Sequence, residues 1–397
     1  VTEKSLYAEA LAIEGTLVRL RRQIHEQPEL AFEERKTAAL VAERLEALGL
    51  EPVTGLAETA VLARIEGGRA TGAPAVALRA DMDALPIDEA GDAPIRSRVP
   101  GCAHLCGHDA HTAILLGAAE ILCARRESLA RPVLLVFQPA EEVTDGGASR
   151  LVAAGALEGV AEIYGLHVNP DLPVGTLGLR AGATMAAMDR FEVAVLGRGG
   201  HGAMPHHARD PVAAAAAVIQ ALQGVVARRL DPVEHTVISV CSVHGGSAFN
   251  AIPDRVDLGG TARTISAPTR EAVEALIAEV ASSAAAGLGC TAETRYVRGT
   301  PVLVNDARAA ERTARLWRSE GGPGAQVADI RPTMGGEDFA YYLEHVPGCF
   351  AFLGAAPEAP DDRAGSFHNP AFRIHEACLA RGAALLAALA LAEPLAG

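Results

Sequence analysis

Residues 133–142 read VLLVFQPAEE. Five consecutive apolar residues form a β-rich run, and Gln-Pro-Ala then fixes two glutamates directly behind it. Runs of the same kind stand at VLARI (61–65), AVALR (75–79) and EIYGLHV (162–168). The helical stretch AHTAILLGAAEILCARR (110–126) lies between two of them. This βαβ rhythm predicts a mostly parallel sheet with helices on both faces. Polar residues follow the strands in each case: ADMDALP after AVALR, QPAEE after VLLVF, and His167 after EIYGL. Sites in open α/β sheets gather at the carboxyl ends of strands, so these residues are expected to converge.

Working outward, LYAEALAIEGTLVRLRRQIHEQP (6–28) reads as one amphipathic helix stopped near Pro28. EERKTAALVAERLEALGL (33–50) reads as a second, ended at Gly49. The middle of the chain changes character. FEVAVLG, HTVISVCSV and RVDLGGTART are strands, and helices are expected near PVAAAAAVIQALQGVVARR and TREAVEALIAEVASSAAAG. This pattern suits an α+β sandwich with one exposed sheet face. The α/β rhythm then resumes with a helix near DARAAERTARLWRS, a strand near CFAFLG and a last helix from about His375. The predicted fold class is therefore α/β. A mixed, mostly parallel sheet domain flanked by helices (1–185 and 299–397) receives a smaller α+β domain (186–298) as an insertion.

The chain has 397 residues, too many for one ordinary core. Hydrophobic residues make up 49% and aromatics 4%, so the core is mostly Ala, Val and Leu. The formal net charge is −14 and the only lysines are Lys4 and Lys36. Without basic clusters, neither nucleic acid nor an anionic membrane is an expected partner. The N-terminal stretch carries acids and lacks an apolar h-region, and the Ala-rich C-terminal run is too short to span a bilayer. A soluble, cytoplasmic protein is expected. Seven cysteines scattered along a long chain argue against a disulfide framework. Cys102 and Cys106 lack the second cysteine pair of a zinc knuckle.

Residues 104–111, HLCGHDAH, place three histidines, a cysteine and an aspartate in one run. Such a run is poor core, because each polar group would need a buried partner. Cys106 and His108, with Glu141, Glu142, His167 and His368, supply thiolate, imidazole and carboxylate, the donors of zinc and its neighbours. Gly107 lets the flanking side chains aim at one point. Glu141 and Glu142 are adjacent, so one can ligate while the other faces a water. A metal cluster beside a spare carboxylate points to hydrolysis.

CGHDAHT, QPAEE, GRGGHGAMPH, NAIPDRVDLGGTART, GGEDF and FHNPAF stand in the order found in the M20 metallopeptidase family. The chain resembles that family's amidohydrolase branch, which includes aminoacylases, hippurate hydrolases and auxin-conjugate hydrolases, and the resemblance covers essentially its whole length. It implies a catalytic domain with two divalent metals (Zn, Mn, Co or Ni) and an inserted lid domain that dimerises; a tetramer is the larger possibility. It implies Cys106, His108, Glu142, His167 and His368 as ligands, with Cys106 bridging, and Glu141 as general base. Asp83 matches the aspartate beneath the metals. His201 matches a lid histidine that reaches a partner subunit's site and stabilises the oxyanion. Asn250 is implied to touch the substrate, and Arg263 suits a substrate carboxylate. Gly335 and Gly336 would permit close backbone approach to the substrate, while Glu337 and Asp338 hold their loop. Relatives commonly have Ala where Leu105 stands, which predicts altered packing with the metal retained. Cys102 is an unusual neighbour that could oxidise against Cys106.

The implied reaction is hydrolysis of N-acyl amino acids to a carboxylic acid and a free amino acid. Glu141 would deprotonate a bridging water and then protonate the departing amine. A dipeptidase or deacetylase acting on another small amide is the alternative within the family. GRGGHG (197–202) also fits a dinucleotide-binding fingerprint, but Pro205 and Pro211 follow where a helix should open, and no acidic residue stands about 20 positions on. Two rivals predict different responses to a chelator. A Cys106 nucleophile paired with His108 would be indifferent to it, and a non-enzymatic binding module would show no turnover at all.

Overall fold

The computed structural model describes residues 5–68, 72–91, 95–358 and 366–395. Its contacts divide the chain into two units. One comprises Val1–Gly182, Val304–Arg331 and Asp338–Gly397, the other Ala183–Leu303 and Pro332–Glu337. The segment Pro332–Glu337, assigned to the first domain by the sequence reading, groups with the second unit.

The first unit is built on an eight-stranded sheet. Its spatial order is Val53–Leu56, Ala60–Ile65, Val133–Gln138, Ala75–Asp81, Val160–Asn169, Gly348–Gly354, Thr176–Leu179 and Gln326–Asp329. The four central strands run parallel, and antiparallel pairings occur towards the edges. Ala75–Asp81 and Gly348–Gly354 are buried along their whole length, as strands covered on both faces must be. The helix His108–Ala124 is apolar nearly all round, because it runs between the sheet and the helices Glu14–Glu26 and Cys378–Leu391. Gly117 permits that crossing: a Cβ there would stand 2.6 Å from Leu17 Cδ2 and 3.2 Å from the Ala383 Cβ.

Two local readings are corrected. The single N-terminal helix is two, Leu6–Ala12 and Glu14–Glu26, separated at Ile13 (φ −105°, ψ 4°). The short strands Val53–Leu56, Thr176–Leu179 and Gln326–Asp329 extend the sheet beyond the runs recognised in sequence.

The second unit is an antiparallel sheet in the order Thr236–Gly245, Arg255–Thr264, Ala187–Leu196 and Thr291–Arg298. The helices Pro211–Arg228 and Ala267–Ala286 pack with it around a core that includes Phe191, Val218, Leu258 and Ile277. Gly260 makes room for Phe191, whose Cζ would lie 2.2 Å from a Cβ at that position. Both helices open on side-chain caps, Asp210 accepting from Val212 N and Ser266 from Thr269 N. Pro211–Arg228 is long and apolar enough to cross a bilayer by length and composition. Its Ala214, Val218, Leu222 and Val225 are buried in this unit's core.

Candidate metal centre

The first unit gathers its titratable residues at the carboxyl ends of three parallel strands. Asp81 ends one strand and Asp83 follows it; Gln138 ends another, with Glu141 and Glu142 just beyond; His167 lies near the end of Val160–Asn169. The helix His108–Ala124 starts beside them, and Gly107 is its N-cap at φ 99°. A Cβ on Gly107 would stand 2.3 Å from Val168 Cγ2, so both the torsion and the space call for glycine.

Donor atoms of Cys106, His108 and His167 lie within 4.8 Å of one another, as do those of Cys106, Glu142 and His368, and those of His108, Glu141 and Glu142. Cys106 belongs to two of these groups, which joins them into one cluster. Its Sγ is 3.3 Å from His167 Nε2, and His368 Nε2 is 3.2 Å from Glu142 Oε1. His368 adopts φ 64°, and its amide donates to the Leu105 carbonyl at 2.9 Å, which ties the last donor to the ligand loop. Leu105 itself is fully buried in the core.

A second layer of bonds orients the donors. Asp83 Oδ1 takes His108 Nδ1 at 3.2 Å, which turns Nε2 towards the cluster. His167 Nδ1 donates to the Val168 carbonyl at 2.8 Å, leaving its Nε2 lone pair towards Cys106. His111, to which the sequence reading gave no role, holds the backbone of the same residue, Val168, through its amide. Its Nδ1 meets Asp81 Oδ1 at 2.6 Å and its Nε2 accepts from Val168 N at 2.9 Å. Asp81 is fully buried and also paired with Arg79, so its oxygens serve this scaffold. Arg79 reaches on to Asp338 at 2.8 Å, and Asp338 in turn accepts from Gln138 and Ala148 N. Asp109 faces away from the cluster, with Arg21 Nε at 2.7 Å and His25 Nδ1 at 2.8 Å. Asp81, His111, Arg79 and His25 were not singled out in sequence, because their roles depend on partners dozens to hundreds of positions away.

The electrostatics ask for a cation. Burial opposes a charge on His108, yet Asp81, Asp83 and Glu142 together push its pKa up to about 10. Burial and the carboxylates of Glu142, Glu141 and Asp81 drive the Cys106 thiol well above its usual range. A site that holds protons this tightly suits a metal that would displace them. His108 Nε2 is buried without a hydrogen-bond partner among the described residues. The mixed S, N and O donors and this open nitrogen fit a divalent transition metal. Burial keeps His167 neutral, as a ligand must be. The same field disfavours a Cys106 thiolate acting as nucleophile in the absence of a cation. Cys102 is a buried free thiol that burial pushes up to about 11, and all the described cysteines are unpaired.

The other sequence candidates lie in the second unit. His201 sits on a two-stranded ribbon paired with Ala251, and its exposed ring accepts from Ala203 N at 3.1 Å. Asn250 is next along, its carbonyl taking the Gly202 amide at 2.8 Å, beside a fully exposed Phe249. His206 and His207 are exposed. Arg263 stands on Arg255–Thr264 opposite Met188 and Val237, and burial lowers its pKa. Gly335 accepts from Ala186 N. Gly336 packs on Met188, whose Cγ would be 2.3 Å from a Cβ there.

A model of peptidase family M20/M25/M40 matches residues 77–392. The chain is 40% identical over 380 residues to an N-acetyl-L-cysteine deacetylase of Bacillus subtilis (strain 168), covering 94% of this chain and 87% of that protein. It is 39% identical over 389 residues to IAA-amino acid hydrolase ILR1-like 2 of Arabidopsis thaliana, covering 97% and 87%. Among solved structures, the Bacillus subtilis YXEP protein, a dinuclear metal binding peptidase, superposes with a TM-score of 0.84 at 36% identity, covering 96% of this chain and 98% of that one.

Proposed function

The chain belongs to peptidase family M20/M25/M40, and from that membership we propose that it hydrolyses the amide bond of N-acyl amino acids, with Glu141 as general base. It is a metal-dependent hydrolase of the amidohydrolase type. The observation that carries the mechanism is the position of Glu141. Its carboxylate lies within 4.8 Å of donor atoms of His108 and Glu142, while Glu142 alone of the pair groups with Cys106 and His368. One glutamate is thus disposed to ligate and the other to move a proton.

Cys106, His108, Glu142, His167 and His368 would hold two divalent ions, Zn, Mn, Co or Ni, with Cys106 as the shared ligand. When bound, the ions polarise the amide carbonyl and lower the pKa of water to roughly 7. Glu141 takes the proton of the attacking water and delivers it to the leaving nitrogen. Asp83 fixes the His108 ring and the backbone of both glutamates. His201, from a second copy, donates to the developing oxyanion. Asn250 contacts the substrate, Arg263 pairs with its carboxylate, and Gly335 and Gly336 border it. The second unit serves as lid and pairs two copies, with a tetramer as the larger assembly. The protein works in the cytoplasm, on a small molecule and without a nucleic-acid or membrane partner.

Support for the substrate class comes from the relatives named for an N-acetyl amino acid and an IAA-amino acid. A second reading, cleavage of a small peptide, is favoured by 36% identity over 385 residues to thermostable carboxypeptidase 2 of Saccharolobus solfataricus. A panel of N-benzoylglycine, N-acetyl-L-amino acids and dipeptides, assayed with Mn²⁺ or Zn²⁺ and with a chelator, separates the two. Release of a free amino acid that stops with the chelator is the expected result. Release that persists after the metal is shown to be gone would return Cys106 to consideration as nucleophile. Glu141→Gln is expected to lower kcat by about 10²-fold or more with bound metal unchanged. A near-normal rate in that variant would rule out the base assignment.

A further inference from the structure

We propose that Glu34 is a positioning residue for the general base, its carboxylate fixing the Ala140 peptide from which Glu141 is presented; this rests on the reading of Glu141 as base. Glu34 is distant in sequence, at the start of the helix Arg35–Ala47, and its side chain is fully buried. One oxygen accepts from the Ala140 amide at 2.9 Å and the other from the Thr59 hydroxyl at 2.6 Å.

The Glu141–Glu142 segment is held by its backbone. Three successive amides donate to two buried carboxylates: Ala140 to Glu34 at 2.9 Å, Glu141 to Asp83 Oδ1 at 3.0 Å, and Glu142 to Asp83 Oδ2 at 3.0 Å. Ala140 adopts φ 55°, a left-handed torsion that costs an alanine about 1 kcal/mol or more. Such a torsion persists only when its surroundings over-determine it. The Ala140 carbonyl is also fixed, accepting from Gly147 N at 3.1 Å. Removing the Glu34 acceptor leaves a buried amide unpaired and frees the torsion that sets the direction of Glu141. Glu142 has a further anchor in its contact with His368, so the loss reaches Glu141 first.

The support behind Glu34 is itself strained. Thr59 closes a turn in which Ala57 and Glu58 have φ 42° and 70°. Phe32, two residues before Glu34, has φ 63°. Arg150 joins these segments, pairing with Glu58 at 2.8 Å and lying 3.9 Å over the Phe32 ring. Glu34 has no ion-pair partner among the described residues. Burial, opposed by the Thr59 and Ala140 hydrogen bonds and reinforced by Asp83, raises its pKa to about 7. An unpaired buried carboxylate is a costly way to hold one amide, so a purely structural role is poorly served by it.

The test is a double-mutant cycle in the metal-loaded full-length protein, on whichever N-acyl amino acid the panel identifies. Glu34→Ala should lower kcat roughly 10- to 100-fold, with KM within about twofold and metal content unchanged. Glu34→Gln keeps an acceptor for Ala140 and should restore most of the rate. In the Glu141→Gln background, Glu34→Ala should cause no further loss, because the group it serves is already absent. Thr59→Val should cause a smaller loss in the same direction, and it replaces Glu34→Ala if that variant does not fold. A normal kcat in both variants, additive losses with Glu141→Gln, or loss of metal in step with activity would overturn the proposal. Activity retained in Glu141→Gln itself would instead refute the assignment of the base.

Discussion

The titration of Glu34 gives a stability signature that is independent of turnover. The unfolded chain ionises this group near 4.5, the folded protein near 7. Between those values the folded state holds a proton that the unfolded state has released, so stability falls as pH rises from 4.5 through 7. The loss is on the order of 3 kcal/mol at about 1.4 kcal/mol per pH unit. Glu34→Gln keeps both hydrogen-bonding positions without the charge. Denaturant unfolding should therefore find it more stable than the parent at pH 8 and close to it at pH 5. An equal difference at both pH values would refute the ionisation. Glu34 was not legible in sequence, because nothing in AFEERKT distinguishes a buried carboxylate from a solvated one. The cluster residues were legible, because Cys106 and His108 stand in a short polar run at the start of a recognisable helix, and Glu141 and Glu142 directly behind a recognisable strand. His111 was visible in the same run, but its bond to Val168 N depends on a strand 57 positions away.

Gly107 matters at the scale of the element, because it lets the helix His108–Ala124 begin with its first residue facing the cluster. Gly107→Ala would put a methyl group 2.3 Å from Val168 Cγ2 at a φ of 99°. It should destabilise the protein by roughly 2 kcal/mol or more and weaken Zn²⁺ binding, read by calorimetric titration of metal-free protein. Unchanged affinity would show that the helix start tolerates displacement. Most elements were legible because their apolar runs are long. The misses have physical causes. TLGL and VTGL are four residues long and contain glycine, and QVAD is largely exposed, so none shows a strand's apolar signature. TAETRYVR alternates in burial but has few apolar residues to reveal it. The break at Ile13 is a change of torsion within an unbroken amphipathic pattern, which periodicity does not register.

Across the whole molecule, the first unit concentrates buried acids around His108 and so depends on a cation for its balance. Stripping the metal should lower the melting temperature. A ligand at about a hundred times its Kd contributes about 2.7 kcal/mol to stability, and returning Zn²⁺ should restore it. A melting temperature indifferent to the chelator would mean that protons or internal bonds already satisfy the cluster. The βαβ rhythm disclosed the sheet, whereas the grouping of Pro332–Glu337 with the second unit had no sequence signal, since loops leave no periodicity. The sheet's strand order has a consequence for biosynthesis. Gly348–Gly354 fills the place between Val160–Asn169 and Thr176–Leu179. A nascent chain must therefore hold that slot open, with unpaired strand edges, until residue 354 has left the ribosome. At about 5–20 residues per second that is a wait on the order of ten to forty seconds. His368 emerges later still, so the full donor set comes together only after that strand has left the ribosome. Metal loading is then a step of maturation, and an arrested chain ending before His368 would offer a cell's metal pool an incomplete site.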